Sequence, residues 1–225
     1  AFNGCSSLTE LAMTGLKTSG TYAFDGCSML ETVTLGSTFT SVPNYMFRNC
    51  SSMTTINLEA VKTIGTYAFQ GCAEADISVA TSVGTYAFDG CASLVKVTLN
   101  SSLTTLSNYL FRGCSSLEEI NLEAIKTVGT YCFQNCVALR AAELTSATSI
   151  GNYAFNGCSE LTTVKLPAVT TLGTNSFRDC VKLSNVQLNM SLKTISNSAF
   201  RGCKALELIQ LPNELEKIDT YAFRE

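Results

Sequence analysis

A phenylalanine recurs every 19 to 23 residues along the whole chain, and a cysteine follows it three residues later in ten successive frames. The frames begin with AFNGC at 1–5 and end with AFRGC at 199–203, and Ala222-Phe223 starts an eleventh. Such a period is typical of a solenoid, in which each unit buries its apolar face only against its neighbours. We therefore predict a single domain over residues 1–225, built from ten tandem repeats of 19–23 residues and a partial eleventh. Since neither end carries a polar capping sequence, we expect a segment of a longer protein.

The eighth unit shows the register of the repeat most clearly. Leu161, Val164 and Leu166 have the L-x-x-L-x-L spacing of a leucine-rich repeat. Val164 and Leu166 are two residues apart, so they point to one face of a short strand, and Lys165 points to the other. Phe155 and Cys158 are three apart, as one helical turn would place them. We therefore predict a strand on one side of each coil and a short helical turn on the other.

Two features of the repeats bear on function. Compared with the seventh unit, the fourth unit lacks three residues between Cys72 and Ala73, including the leucine that would start its strand. Units two to four also resemble units five to seven, and the residue after each phenylalanine follows the same order of Asp, Arg and Gln in both blocks. A surface that has been copied in this way is a weak basis for a unique catalytic pocket.

The pattern L-x-x-V-x-L-P-x-x-V-x-x-I-G-x-x-A-F-x-G-C-x-x-L resembles the BspA-like, or Treponema pallidum-type, leucine-rich repeat. Aliphatic residues such as Val61 and Val169 stand where ordinary leucine-rich repeats carry asparagine, which favours this subfamily. The resemblance implies an α/β solenoid: a right-handed leucine-rich-repeat superhelix with a parallel β-sheet on the concave side and short helical turns on the convex side. It also implies a location at the cell surface or outside the cell, a role in adhesion, and no assigned catalytic residue.

Eleven cysteines raise the question of metal or disulfide chemistry. Only Cys132 and Cys136 lie close together in sequence, so a zinc cluster is not indicated. Neighbouring turns of a solenoid are about 4.8 Å apart, which would permit a disulfide between turns. Cysteine is also among the residues most often buried as a small apolar group. We favour free, buried, structural thiols and leave the disulfide as the alternative.

Enzymatic activity is not indicated. The chain contains no histidine, which is the commonest general base near neutral pH, and no nucleophile elbow, phosphate-binding loop or dinucleotide fingerprint. We therefore predict no catalytic residue, no metal site and no cofactor. A net charge of −3 without a basic tract argues against nucleic acid as a partner. No apolar run approaches 18 residues, so no membrane span is expected in this segment.

The concave face is where leucine-rich repeats usually bind, and we predict that this segment binds a protein there. One charged cluster on that face combines acidic and basic residues on adjacent turns, with ordinary cross-strand pairing as the alternative to a binding role. Its members are Glu118, Glu119, Glu143, Lys96, Arg140 and Lys165. The candidate binding residues are Thr34, Asn57, Thr98, Glu118, Glu119, Asn121, Arg140, Glu143, Lys165, Gln187 and Gln210.

The expected function is adhesin-type binding of a host matrix protein, a host cell-surface protein or another microbe. A structural stalk that projects another module is the first alternative. An intracellular scaffold is the second, and free thiols together with the absence of a secretion signal in the full gene would favour it. A row of eight tyrosines, replaced by Asn175 and Ser198 in two units, is either an adhesive stripe or a set of rings half-packed into the turns.

Overall fold

The computed structural model describes residues 2–73 and 77–225. Within them the chain forms seventeen short strands, and every strand pairing is parallel. The strands fall into two rows, because most repeats contribute one strand to each. The front row consists of β1 (Glu10–Met13), β2 (Thr32–Leu35), β4 (Thr55–Ile56), β7 (Lys96–Val97), β9 (Glu119–Ile120), β11 (Ala141–Glu143), β13 (Thr163–Leu166) and β15 (Asn185–Leu188).

The back row comes from the second half of each repeat, where an aliphatic residue precedes a glycine or serine in most units, and Pro43 or Asp219 in two. It consists of β3 (Ser41–Val42), β5 (Thr63–Ile64), β6 (Ser82–Val83), β8 (Thr105–Leu106), β10 (Thr127–Val128), β12 (Ser149–Ile150), β14 (Thr171–Leu172), β16 (Thr194–Ile195) and β17 (Lys217–Ile218). The front row forms sheets β1-β2-β4, β7-β9 and β11-β13-β15, and the back row forms β3-β5-β6, β8-β10-β12-β14 and β16-β17.

Paired strands lie one repeat apart, and residues at equivalent positions of the two repeats lie opposite each other. Val164 pairs with Val186, and Lys165 with Gln187. Val164 and Leu166 are buried in the core, which confirms the predicted inward positions of the strand. The parallel-strand, leucine-rich-repeat solenoid predicted from the sequence is therefore confirmed.

The predicted helical turns are wrong: no helix occurs in the part of the chain that the structure describes. The segment around Phe155 is instead a run of turns. Its amides donate to carbonyls three residues back, from Asn156 to Tyr153 and from Cys158 to Phe155, both at 3.2 Å. Tyr153 (φ 56°) and Gly157 (φ 76°) are both left-handed, and two such residues within five interrupt any right-handed helix.

Phenylalanine rings form a continuous column through the core. Ten successive pairs, from Phe2–Phe24 to Phe200–Phe223, have nearly parallel rings with centroids 5.0 to 5.7 Å apart. Each ring covers the next, so most of this apolar area is removed from water only when the turns stack. The column therefore ties the stability of each repeat to that of its neighbours.

The cysteines lie beside this column. Ten of the eleven are buried, Cys5 alone is exposed, and none of them is paired in a disulfide. The Cys158 thiol donates a hydrogen bond of 3.1 Å to the Phe133 carbonyl in the preceding turn. Eight equivalent bonds repeat this contact along the solenoid. The cysteine row is therefore a packing element whose polar hydrogens are satisfied between turns.

The turns approach each other closely at the glycines that follow the back strands. A Cβ added to Gly151 would lie 2.6 Å from the Thr130 nitrogen, and one added to Gly173 would overlap the Gly151 backbone. At Gly151 and Gly173 a side chain would therefore require the neighbouring backbone to move. These two glycines allow direct backbone contact between successive turns.

Both rows of strands are interrupted at the short fourth unit, since β4 is not paired with β7 and β6 is not paired with β8 in the part of the chain that the structure describes. No strand among the described residues pairs with both β4 and β7, whereas the columns behind them continue: Phe69 stacks on Phe88 at 5.4 Å, and Tyr67 on Tyr86 at 4.5 Å. Asp76, which stands at the position that Lys165 has in the eighth unit, lies outside the described residues. The missing residues thus shorten the strand side of the coil and leave the aromatic side intact.

Candidate protein-binding face

The front strands present one outward side chain per turn, and we call this surface the strand face. On β2, Thr34 lies exposed between the buried Val33 and Leu35. Alternation of this kind follows from the two-residue period of a strand with one buried side. Thr98, Gln187 and Gln210 are also exposed, although Gln210 follows a segment that forms no strand.

Two of the candidate residues are engaged with the backbone of the preceding turn. The Asn57 side chain accepts a hydrogen bond from the Leu35 amide at 2.6 Å and donates one to the Leu35 carbonyl at 3.0 Å. Asn121 makes the same pair of bonds to Leu99, at 2.7 and 3.1 Å. Since both ends of each amide are used, these asparagines tie adjacent turns together and offer a partner few free hydrogen-bonding groups.

The predicted charged cluster resolves into three ion pairs between adjacent turns. Lys96 pairs with Glu119 at 2.8 Å, Glu118 with Arg140 at 3.0 Å, and Glu143 with Lys165 at 2.9 Å, and each pair joins two adjacent turns. Lys96–Glu119 and Glu143–Lys165 are also register partners. The hydrogen bond from Lys96 lowers the pKa of Glu119 and correspondingly raises the pKa of Lys96. Each charge in the cluster therefore already has a partner.

These ion pairs remain open to solvent. The side chains of Lys96 and Glu119 are each 67% exposed, and even Glu143, the least exposed of the six, is 37% exposed. Exposed pairs are screened by salt and contribute little to stability. Their charges can therefore turn to a ligand without unfolding the sheet.

Shallow recesses lie along the same face. One of about 440 Å³ is lined by β15 together with Met190 and Gln210. Another of about 440 Å³ is bordered by Leu35, Asn57 and Glu59. Met190 and Glu59 were not among the candidates, because they lie in the turns leaving the strands, where the sequence shows no fixed pattern.

A second surface row, which we call the tyrosine row, follows the back strands. Seven rings from Tyr22 to Tyr153 stack on one another with centroids 4.3 to 4.9 Å apart. Six of the seven are half-buried and Tyr22 is 41% exposed, so the rings pack against each other and the turns. Burial raises the pKa of Tyr86 to about 12.

Two features bear on metals and membranes. Among residues 2–73 and 77–225, no group of three or more His, Cys, Asp or Glu side chains could hold a metal ion. No helix in the same residues is long and apolar enough to cross a membrane.

Comparison with known proteins gives a consistent result. The family model of the BspA type leucine rich repeat region, with six copies, matches residues 1–83, 77–180 and 126–225. No curated protein sequence matches the chain. A leucine-rich repeat protein from Bacteroides ovatus has a similar structure, with 26% identity, a TM-score of 0.72 and coverage of 100% of this chain and 76% of that one.

Two further solved structures are similar. The leucine rich repeat protein of T. pallidum shares 28% identity, with a TM-score of 0.58 over 79% of this chain and 77% of its own. A leucine rich cell surface protein from Faecalibacterium prausnitzii shares 23% identity, with a TM-score of 0.56 over 96% of this chain and 70% of that one, which is a likeness of fold.

Proposed function

Because this chain belongs to the BspA-type leucine-rich repeat family, we propose that it is a non-catalytic protein-binding domain, of the adhesin type, in a microbial surface or secreted protein. The observation that carries the proposal is the strand face, where one polar side chain per turn lies outside a rigid stacked core. A row of polar side chains on a stacked scaffold suits recognition of an extended protein surface, because few backbone segments have to become ordered on binding.

Within that face we place the centre of recognition at Glu118, Glu119, Arg140, Glu143 and Lys165. Their ion pairs are exposed, so a partner's charges can replace the internal ones at small cost. Both signs of charge lie within three turns, which favours a partner with a mixed charge pattern over a uniformly charged one. The family resemblance implies a surface or secreted location. Burial would protect the free thiols from oxidation in that location.

Binding of the immobilised chain to purified matrix proteins (fibronectin, laminin and collagen) tests this proposal. We expect one of them to bind saturably, and the Glu118→Lys/Glu119→Lys variant to bind at least about tenfold more weakly, since charged hot-spot residues dominate such interfaces. The matched control is Glu214→Lys/Glu216→Lys, which makes the same charge change near β17 in the back row, where both glutamates are exposed. Equal weakening by both variants would refute the strand-face assignment.

A structural stalk is the second candidate, and one observation favours it. Asn57, Asn121 and the charges of the cluster all make bonds between turns, as a purely structural surface would. A stalk should bind none of the three matrix proteins, and the charge reversals should then change only stability. An intracellular scaffold would be favoured by free thiols together with the absence of a secretion signal, and the free thiols meet the first condition. Detection of the native protein on the outside of intact cells would exclude this alternative.

A further inference from the structure

The front row opens at its last turn, beside the outer edge of β15. Before the opening, the Ala205 amide donates to the Val181 carbonyl at 3.2 Å. After it, the Glu216 amide donates to the Lys193 carbonyl at 2.8 Å. Between these two bonds, no hydrogen bond among the described residues joins segment 206–214 to β15. The last turn is therefore bonded to the preceding one at both ends of this stretch and is separated from β15 in the middle.

Side chains hold the separated segment on the solenoid. Leu206 and Ile209 are half-buried and pack against the core, at the positions that Leu161 and Val164 occupy in the eighth unit. The segment therefore keeps its place in the stack without forming a strand, and only its backbone is apart from β15.

The opening leaves the outer edge of β15 without backbone partners. The Asn185 amide donates to the Thr162 carbonyl at 3.0 Å, on the side of β13. Backbone groups of successive residues in a strand point to opposite edges, so those of Val186 and Leu188 point to the outer edge. In the part of the chain that the structure describes, neither of these two amides donates a hydrogen bond and neither carbonyl accepts one. Such unpaired groups are a template for pairing with another extended chain.

Other turns close the equivalent edge with a side chain. The Asn57 side chain bonds to both the amide and the carbonyl of Leu35, which is the residue equivalent to Leu188. Asn121 makes the same pair of bonds in the next block. Gln210 stands at the position of these asparagines, is exposed, and makes no side-chain hydrogen bond within the described residues. The open edge thus coincides with the loss of the bridging asparagine.

A recess of about 440 Å³ lies along this open edge. All four residues of β15 line it, and Met190 and Gln210 complete the described lining. The volume is within the range of ligand pockets, about 300–1,000 Å³. No charged side chain is among these lining residues, so a charged ligand group would lose water there without gaining a partner. The recess therefore favours an uncharged ligand.

Leu208 adds an exposed apolar side chain two residues before Gln210. It is 84% exposed, whereas the equivalent positions of the two preceding units carry the polar residues Thr163 and Asn185. An aliphatic side chain at such a position gains stability when a ligand covers it with apolar surface. Unpaired backbone groups, an uncharged recess and an exposed leucine thus occur together at one edge.

We propose that the outer edge of β15 binds an extended, uncharged segment of a partner protein, which pairs with the backbone of Val186 and Leu188 as an added strand. The two residues are two apart, which matches the spacing of backbone groups on one edge of an extended chain. Backbone pairing gives such a contact its affinity, and the side chains beside it give selectivity. This site rests on the proposed protein-binding function of the strand face, and it lies one turn beyond Lys165.

The blocked peptide acetyl-Ser-Val-Thr-Val-Thr-Ser-amide tests the proposal against two matched versions, one N-methylated at both valines and one at both threonines. Binding to the full chain is measured from the chemical shifts of the Val186 and Leu188 amides. Since the amides of alternate residues face β15, we expect one methylated version to bind at least about tenfold more weakly than the parent and the other to stay within about threefold. Equal weakening of both versions, or no saturable shift with the parent peptide, would overturn the proposal.

Hydrogen exchange of the free chain tests the open edge without a peptide. The equivalent residues of β13, Val164 and Leu166, are paired with β15. We expect the Val186 and Leu188 amides to exchange at least about tenfold faster than these two, because a paired amide exchanges only when the structure opens. Equal rates would show a closed edge and would overturn the proposal.

Variants separate this site from the charged cluster. Val186→Pro removes an outward amide and no bond to β13, and should weaken the parent peptide at least about tenfold. Leu208→Ser tests the site if the proline variant fails to fold, and should weaken the peptide at least about threefold. Full affinity in the Leu208 variant would contradict the proposal. A free chain that sediments as a dimer, and as a monomer after Val186→Pro, would show that a second copy occupies the edge and would also contradict it.

Glu118→Lys/Glu119→Lys should bind the parent peptide as tightly as the unaltered chain. Loss of matrix-protein binding with the peptide retained would then count against the charged cluster alone. Loss of peptide binding with matrix-protein binding retained would count against the β15 edge alone.

Discussion

The Tyr109 ring stacks on the Tyr86 ring with 4.3 Å between centroids, although both residues have a left-handed backbone (φ 59° and 58°). Such a backbone is unfavourable for a bulky residue and suits glycine or asparagine. Seven of the eight tyrosines with this backbone stack on one another, which indicates that stacking between turns offsets the backbone cost. The tyrosine row is therefore a second turn-to-turn ladder, outside the phenylalanine column.

The substitution Tyr109→Asn should separate the two effects. An asparagine suits the left-handed backbone, yet the change removes stacking on both Tyr86 and Tyr131. Since an aromatic pair contributes about 0.5–1.5 kcal/mol beyond its buried area, we expect a net loss of about 1–2 kcal/mol in the free energy of unfolding. Tyr109→Phe keeps the ring and should cost less than about 0.5 kcal/mol. Urea unfolding measures both, and an asparagine variant as stable as the parent would show that the rings do not support the fold.

Thiol alkylation should follow burial along the cysteine row. Burial raises the pKa of Cys27 to about 11, so only about a thousandth of it is thiolate at pH 8, and burial also raises the pKa of Cys158 well above its ordinary value. We expect iodoacetamide to label Cys5 alone in the native protein and all eleven cysteines in denaturant, as counted by intact mass. Fewer than eleven labels in denaturant would reveal a disulfide.

Stability should fall in alkaline solution for the same reason. Burial raises the pKa of Cys27 to about 11 and of Cys203 to about 12, from an ordinary 9.0, so the folded state holds these protons more tightly than the unfolded state. Their contribution is therefore complete below about pH 9 and is lost as the pH rises from about 9 toward about 12. Each such thiol lowers the free energy of unfolding by up to about 1.4 kcal/mol per pH unit in that interval. Urea midpoints from about pH 7.5 to about pH 10 should be level at first and then fall, and Cys203→Ala should fall less steeply. A level profile over this whole range would contradict burial of the row.

Alanine scanning of glycines should distinguish backbone contact from backbone conformation. Gly151→Ala places a methyl group 2.6 Å from the Thr130 nitrogen and should cost at least about 2 kcal/mol, because the turns must separate. Gly90→Ala has open space but a φ of 72° and should cost about 1 kcal/mol. Gly15→Ala has neither constraint and should change stability by less than about 0.5 kcal/mol. Thermal unfolding gives the order, and a Gly151 variant as mild as the Gly15 variant would refute direct contact between turns.

Much of the fold was predictable because one unit repeats the same physical demands many times. The spacing of Leu161, Val164 and Leu166 places them in the core, and the structure confirms it. Phe155 and Cys158 are also buried as expected. Their separation of three residues led us to predict a helical turn, and this prediction was wrong. A run of turns also places two residues that are three apart on the same side of the chain. The left-handed conformation of Tyr153, a residue that rarely adopts it, could not be read from its side chain.

The back row of strands escaped prediction for a related reason. A two-residue strand such as Ser149–Ile150 has too few residues to show an alternating pattern, and its pairing partners lie one repeat away. On the strand face, the sequence brought together Glu118, Glu119 and Arg140 but could not choose which charges pair. The role of Asn57 was hidden as well, since its hydrogen bonds go to the Leu35 backbone. Whether these residues bind a partner remains a prediction.

Each repeat makes one turn of the solenoid, so the distance between two positions on the strand face increases with the number of repeats between them. Pulsed electron resonance between spin labels tests it directly, with cysteines introduced at exposed positions Thr34, Thr98 and Gln187 in a Cys5→Ser background. Turns spaced about 4.8 Å apart predict a separation of about 34 Å for Thr34–Gln187, seven turns, and about 19 Å for Thr98–Gln187, four turns. Two separations that differ by about 15 Å would support one turn per repeat. Equal separations, or a broad distribution for either pair, would contradict it.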